Sequence, residues 1–275
     1  MAAPSPSFSI AELLAFYAEA GADDAVEEFG VNRLTPERVA TTASPAVKTE
    51  PALQRPQQSK PEPIAAKAAV PEEGQAARAR ELAAAANSLK ELRTAMAAFE
   101  GCNLRLTAKQ LVFADGNPEA DLMLVGEAPG RDEDIEGLPF VGRSGQLLDR
   151  ILAAIGRDRS NVYIANVIPW RPPGNRTPTP IETEICRPFI ERQIELVAPK
   201  ILMTLGAPSA RTLLRTTEAI TRLRGNWKAH LTPSGMEVPT MPTLHPAYLL
   251  RTPAHKKFVW RDFLAVKARL SALQT

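Results

Sequence analysis

The sequence is short of several features that would each mark a class. It holds two cysteines, Cys102 and Cys186. A disulfide scaffold is thereby excluded, and so is a four-cysteine metal site within one chain. No apolar run approaches the ~20 residues that a membrane-spanning helix needs, so no membrane is expected as a partner. The N-terminus has no basic stretch leading into an apolar one; no secretory signal is expected, and the expected localisation is cytoplasmic. A large net charge is also missing, with 33 Lys+Arg against 31 Asp+Glu and a net of +2. That balance hides an asymmetry, because residues 201–275 carry eleven basic and three acidic side chains. A basic C-terminal third is compatible with a polyanionic partner.

What is present is enough apolar residue to fold. A hydrophobic content of 44% in 275 residues excludes a wholly disordered chain and suits one domain with an extension, or two small domains. Residues 1–35 read as a short helical segment: Ser9 with Glu12 fits a capping box, and Ile10, Leu13, Leu14 and Tyr17 form a stripe at helical spacing. That stripe suits either packing on its own domain or docking on a protein partner. Residues 36–74 read as a disordered linker, because Pro36, Pro45, Pro51, Pro56, Pro61, Pro63 and Pro71 punctuate a stretch with nothing large and apolar to form a core. Residues 75–98, rich in Ala with Leu82, Leu89, Leu92 and Met96, predict a helix leading into the domain.

Residues 99–275 read as α/β. Strand-like runs at 121–126, 162–167, 201–206 and 237–243 alternate with helix-like runs near 144–155, 180–197, 207–215 and 256–270. Alternation of this kind predicts a central parallel sheet between two helical layers. Ligands of such sheets bind beyond the carboxyl ends of the strands.

Four segments sit at or near those ends. The first, GEAPG at 126–130 followed by Arg131-Asp132-Glu133-Asp134, joins a tight turn to the carboxylates Glu127 and Glu133, either of which suits the orientation of a water; alone it reads equally as a surface turn. The second, 139–145, holds Phe140 between turn residues, where a flat ring suits stacking on a planar ligand as well as a place in the core. Ser144 is placed to cap the next helix, whose N-terminus suits a phosphate. The third, 166–176, starts with Asn166 at a strand end, where its amide offers a donor and an acceptor. The fourth, HPAYLLR at 245–251, starts with His245 and places Leu249 and Leu250 before Arg251, a combination that suits an apolar wedge between base steps.

In this order and spacing the four segments, GEAPG with its acids, PFVGxxGxLL, NVxxxRPPGNR and HPAYLLR, strongly resemble family 4 uracil-DNA glycosylases over roughly residues 99–270. The resemblance implies a three-layer α/β/α fold and hydrolysis of the N-glycosidic bond of uracil in DNA, leaving an abasic site. It implies that Phe140 stacks on the flipped uracil and that Asn166 binds its edge. Glu127 would position the attacking water with Glu133 as a second carboxylate, and His245 would donate to uracil O2. Leu249 and its neighbour Leu250 would fill the gap in the base stack, and Arg251 would contact phosphate. Asn175 also matches an active-site position. The family's members typically hold a 4Fe-4S cluster on four cysteines. Two of those positions are Cys102 and Cys186 here, and the other two fall on Phe99 and Trp170. Neither aromatic can ligate iron, so no cluster is expected, with the two rings filling the volume. The alternative is a DNA-binding relative of the same fold without catalysis or with altered base specificity. A covalent uracil-DNA binder is disfavoured, because Arg143–Arg150 contains no histidine.

Overall fold

The computed structural model describes residues 74–273; the segments expected over 1–35 and 36–74 lie outside them, save for Gly74. Two helices come first, α1 (Gln75–Ala85) and α2 (Leu89–Ala98). The single helix expected over 75–98 is therefore broken. Ser88 restarts it, its side chain accepting from Glu91 N at 3.2 Å while Glu91 accepts from Asn87 N at 2.8 Å. This local cap competes with helix continuation. Both helices contribute buried residues, including Ala79, Leu92 and Met96, to one hydrophobic core.

The sheet has six strands in the order β1-β3-β2-β4-β6-β5. They are β1 (Asp115–Gly116), β2 (Leu122–Gly126), β3 (Tyr163–Asn166), β4 (Ile201–Leu205), β5 (Lys228–Leu231) and β6 (Glu237–Thr243). The inner four are parallel and match the four expected strands. The two edges are antiparallel additions, β1 on β3 and β5 on β6. Side chains of β2 alternate between two cores. Met123 and Val125 join the core under α1, α2 and α5 (Pro180–Val197), while Leu122 and Leu124 join the core under α4 (Arg143–Ala154) and α9 (Lys256–Ala272). Burial on both faces explains why these strands are nearly continuous apolar runs. The remaining short helices are α3 (Arg131–Glu136), α6 (Ala207–Leu214), α7 (Ile220–Leu223) and α8 (Pro246–Arg251). Among the described residues no helix is long and apolar enough to cross a membrane.

Candidate active site

The carboxyl ends of β2, β3 and β6 open onto one cleft of about 440 Å³. Glu127, Glu133, Phe140, Ser144, Asn166 and Asn175 line it together with His245 and Arg251. The site residues expected from sequence therefore converge, with the exception of the leucines.

Asn166 ends β3 and is buried. Its Oδ1 has no hydrogen-bond partner. Leaving a buried acceptor unpaired costs about 1–3 kcal/mol, so this amide is held ready for a ligand donor. Gly126, at the end of β2, makes room for it: a Cβ there would overlap Asn166 Oδ1 and lie 2.6 Å from Phe140 Cζ. Phe140 is buried at the cleft floor and adopts φ 56°, a left-handed conformation that costs a non-glycine residue about 1–3 kcal/mol unless its surroundings enforce it. Its ring lies 5.5 Å from the His245 ring at an interplanar angle of 28°. Two stacking contacts of about 3.5 Å each do not fit in that gap, so no planar ligand is sandwiched between the two rings as they stand.

His245 caps α8. Its Nδ1 accepts from Ala247 N at 3.1 Å, which requires that Nδ1 carry no proton. The neutral imidazole then bears its proton on Nε2. Desolvation, with the positive charge of Arg251 second, lowers the His245 pKa to about 4, so the ring stays neutral at physiological pH. Behind it Gly206 has φ 97°, and a Cβ there would meet His245 Cβ at 3.0 Å. This glycine follows β4, the one parallel strand end that contributes no recognisable segment.

The two acids differ. The Glu127 carboxylate has no hydrogen-bond partner among the described residues, and burial raises its pKa above the ordinary carboxylate value. The carboxylate of Glu133 is instead tied to backbone. Its Oε2 accepts from Gly130 N at 3.0 Å, and its Oε1 accepts from Val141 N and Gly142 N at 3.1 Å each. Glu133 thus pins the first segment to the second, a use that sequence did not reveal because its partners lie as far as nine residues on. Asn175 is exposed at φ 56°, and its Oδ1 accepts from Arg171 Nε at 2.7 Å, which leaves the amide nitrogen toward solvent chemistry.

Two expectations are corrected. Leu249 is fully buried in the core beside Val259 and Phe263, so it has no surface with which to enter a base stack; Leu250 is 39% exposed and has one. Ser144 does not cap α4, because Gly142 occupies the cap and Ser144 lies in the first turn. The two cysteines are both buried in the core. Cys186 donates to Cys102 with the sulfurs 3.8 Å apart, and Phe99 and Trp170 are buried in the same core, with Phe99 edge-on to Phe189 at 5.2 Å. Two thiols and two rings do not fit a 4Fe-4S cluster, which takes four thiolates. Among the described residues no group of three or more His, Cys, Asp or Glu is placed to hold a metal ion.

The family model described as the uracil DNA glycosylase superfamily matches residues 113–264, which include this cleft. The chain belongs to the uracil DNA glycosylase superfamily. Within that superfamily it is similar to type-4 uracil-DNA glycosylases. The one from Saccharolobus solfataricus is 40% identical over 179 residues, covering 62% of this chain and 81% of the relative. The one from Thermotoga maritima is 42% identical over 170 residues, covering 61% and 86%. The one from Sulfurisphaera tokodaii is 36% identical over 189 residues, covering 66% and 84%. The uracil DNA glycosylase fold therefore accounts for the parallel sheet, and among the described residues α1 and α2 pack on α5 beside it.

Proposed function

We propose that the cleft carries out uracil excision from DNA, hydrolysing the bond between the base and the deoxyribose, with the residues in the following roles. The target base is hidden in duplex DNA, so the nucleotide is flipped out at a cost of a few kcal/mol. Leu250 fills the vacated stack and Arg251 holds phosphate. Uracil lies on Phe140. Asn166 Oδ1 accepts from its N3–H, and the amide nitrogen donates to O4. Cytosine presents an amino group and an unprotonated ring nitrogen at those positions, so a donor meets a donor and an acceptor meets an acceptor. Mismatched pairing of this kind supports rejection by about 10⁴–10⁵-fold.

The bond between the sugar carbon and uracil N1 breaks with its electron pair leaving on the base. His245 Nε2–H donates to O2, where the charge develops, and it needs no proton transfer to do so. Glu127 orients a water and accepts its proton as the oxygen adds to the sugar carbon. Glu133 and Asn175 position the turn and the water. The observation that carries this reading is the orphaned acceptor of Asn166, a residue that lines the cleft together with the ring of Phe140. We propose further that the chain works without an iron-sulfur cluster, its Phe99 and Trp170 rings supplying the packing.

A labelled uracil oligonucleotide, nicked by alkali after incubation, tests the proposal. Purified protein with no absorption near 400 nm is expected to nick at uracil. Asn166→Ala and His245→Ala are each expected to slow excision by about 10²–10³-fold with unchanged folding, the effect of removing one preorganised donor. Wild-type rates in both variants would show that the chemistry lies elsewhere, and stoichiometric iron and sulfide would refute the cluster-free reading.

A further inference from the structure

Phe140 needs an explanation for its backbone, because a φ of 56° is rare for an aromatic residue and nothing in the ring itself favours it. The peptides around it are gripped by opposite charges. The Glu133 carboxylate accepts from the N–H groups of Val141 and Gly142. The Arg159 guanidinium donates to the carbonyls of Pro139, at 3.1 Å, and of Phe140, so the peptide joining Phe140 to Val141 is held at its oxygen by one charge and at its nitrogen by the other. Arg159 is itself fixed by Asp115 in β1, at 2.6 Å, and by Asp149 in α4, at 2.9 and 3.5 Å. Its five N–H donors therefore make five bonds. The backbone of α4 closes the remaining side, since a Cβ at Gly145 would overlap the Phe140 carbonyl.

From this geometry we propose that Arg159 is a positioning residue for base excision, acting with Glu133 as a two-sided charge clamp that holds Phe140 in its left-handed conformation and so sets the plane on which the base stacks. The inference rests on the reading of Phe140 as the uracil platform. Arg159 does not line the cleft, so it acts only through the loop. A salt bridge serving stability alone has no need to reach the carbonyls of Phe140 and its neighbour. Lysine cannot substitute, because its three donors sit on one point rather than on a planar fork.

The test is a double-mutant cycle in the full chain, read as single-turnover excision from a single-stranded uracil oligonucleotide beside the Kd for uracil-free DNA. Arg159→Lys is expected to slow excision by about ten- to a hundredfold, the scale of an ångström-sized misplacement, with the Kd little changed. In a Phe140→Ala background the same substitution is expected to add less than about twofold, since the ring it positions is gone. A wild-type rate for Arg159→Lys, or a loss that multiplies in full with Phe140→Ala, overturns the clamp. A wild-type rate for Phe140→Ala alone instead overturns the platform reading, which separates the two failures. Melting curves confirm that each variant folds. If Arg159→Lys does not, Asp115→Asn, which frees one anchor of the guanidinium, goes through the same cycle with the same criteria.

Discussion

His245 and Glu127 set opposite limits on how the site responds to acid. His245 has a folded pKa of about 4 against 6.5 for an ordinary imidazole. A depressed value means that the neutral form is the native one, so its contribution to stability is complete above 6.5 and is lost as pH falls from there toward 4. Protonation would also expel the Ala247 N–H from Nδ1. Glu127 is shifted the other way, its pKa raised by burial. The carboxylate form orients water, so activity is present above that raised value and falls as pH drops through it. The acid limb of the single-turnover rate is therefore expected to belong to Glu127 and to lie above the ordinary carboxylate range. In Glu127→Gln the slower residual rate is expected to be flat across that range. A limb that persists unchanged in the variant would assign the titration to another group.

Helix α8 shows how two neighbouring leucines divide their work. Successive residues on a helix point about 100° apart, so Leu249 enters the core while Leu250 stands at 39% exposure, next in sequence to Arg251 of the cleft lining. Leu249→Ala is expected to cost about 2–5 kcal/mol of stability, as buried Leu→Ala changes do. Leu250→Ala is expected to leave the melting temperature unchanged and to slow excision from paired duplex more than from single strands, where no stack needs filling. Equal losses on both substrates would remove the wedge role. The pair also marks a boundary of what sequence reveals. HPAYLLR gave the helix and its place after β6, but which leucine faces the core depends on how α8 docks against α4, and no local pattern states that. The inner strands were legible because burial on both faces makes them apolar runs. The edges were not: β1 is two residues long, and β5 opens on an exposed lysine and keeps only His230 buried. Arg159 escaped notice for a similar reason, since it sits in a polar loop whose partners Asp115 and Phe140 come from elsewhere in the chain.

At the scale of the whole molecule, the chain brings positive charge as well as the site side chains to the carboxyl end of the sheet. Arg251 is exposed at the cleft, and Lys256 and Lys257 are exposed in the first turn of α9, which follows it in a region of the chain with eleven basic and three acidic residues. Phosphates held there release condensed counterions, so affinity falls linearly with the logarithm of salt concentration, at about −0.9 in slope per phosphate neutralised on duplex DNA. Three such contacts predict a share of the slope near −2.7. Replacing Arg251, Lys256 and Lys257 with glutamine together is expected to flatten the measured slope by about that amount and to weaken binding alike on uracil-containing and uracil-free duplex, because phosphate contacts carry no base information. Base selection should survive in the same variant, since Asn166 and Phe140 are untouched. A slope unchanged by the triple substitution would place the DNA backbone on another surface. A loss confined to uracil-containing DNA would mean that these cations serve the flipped nucleotide rather than the duplex.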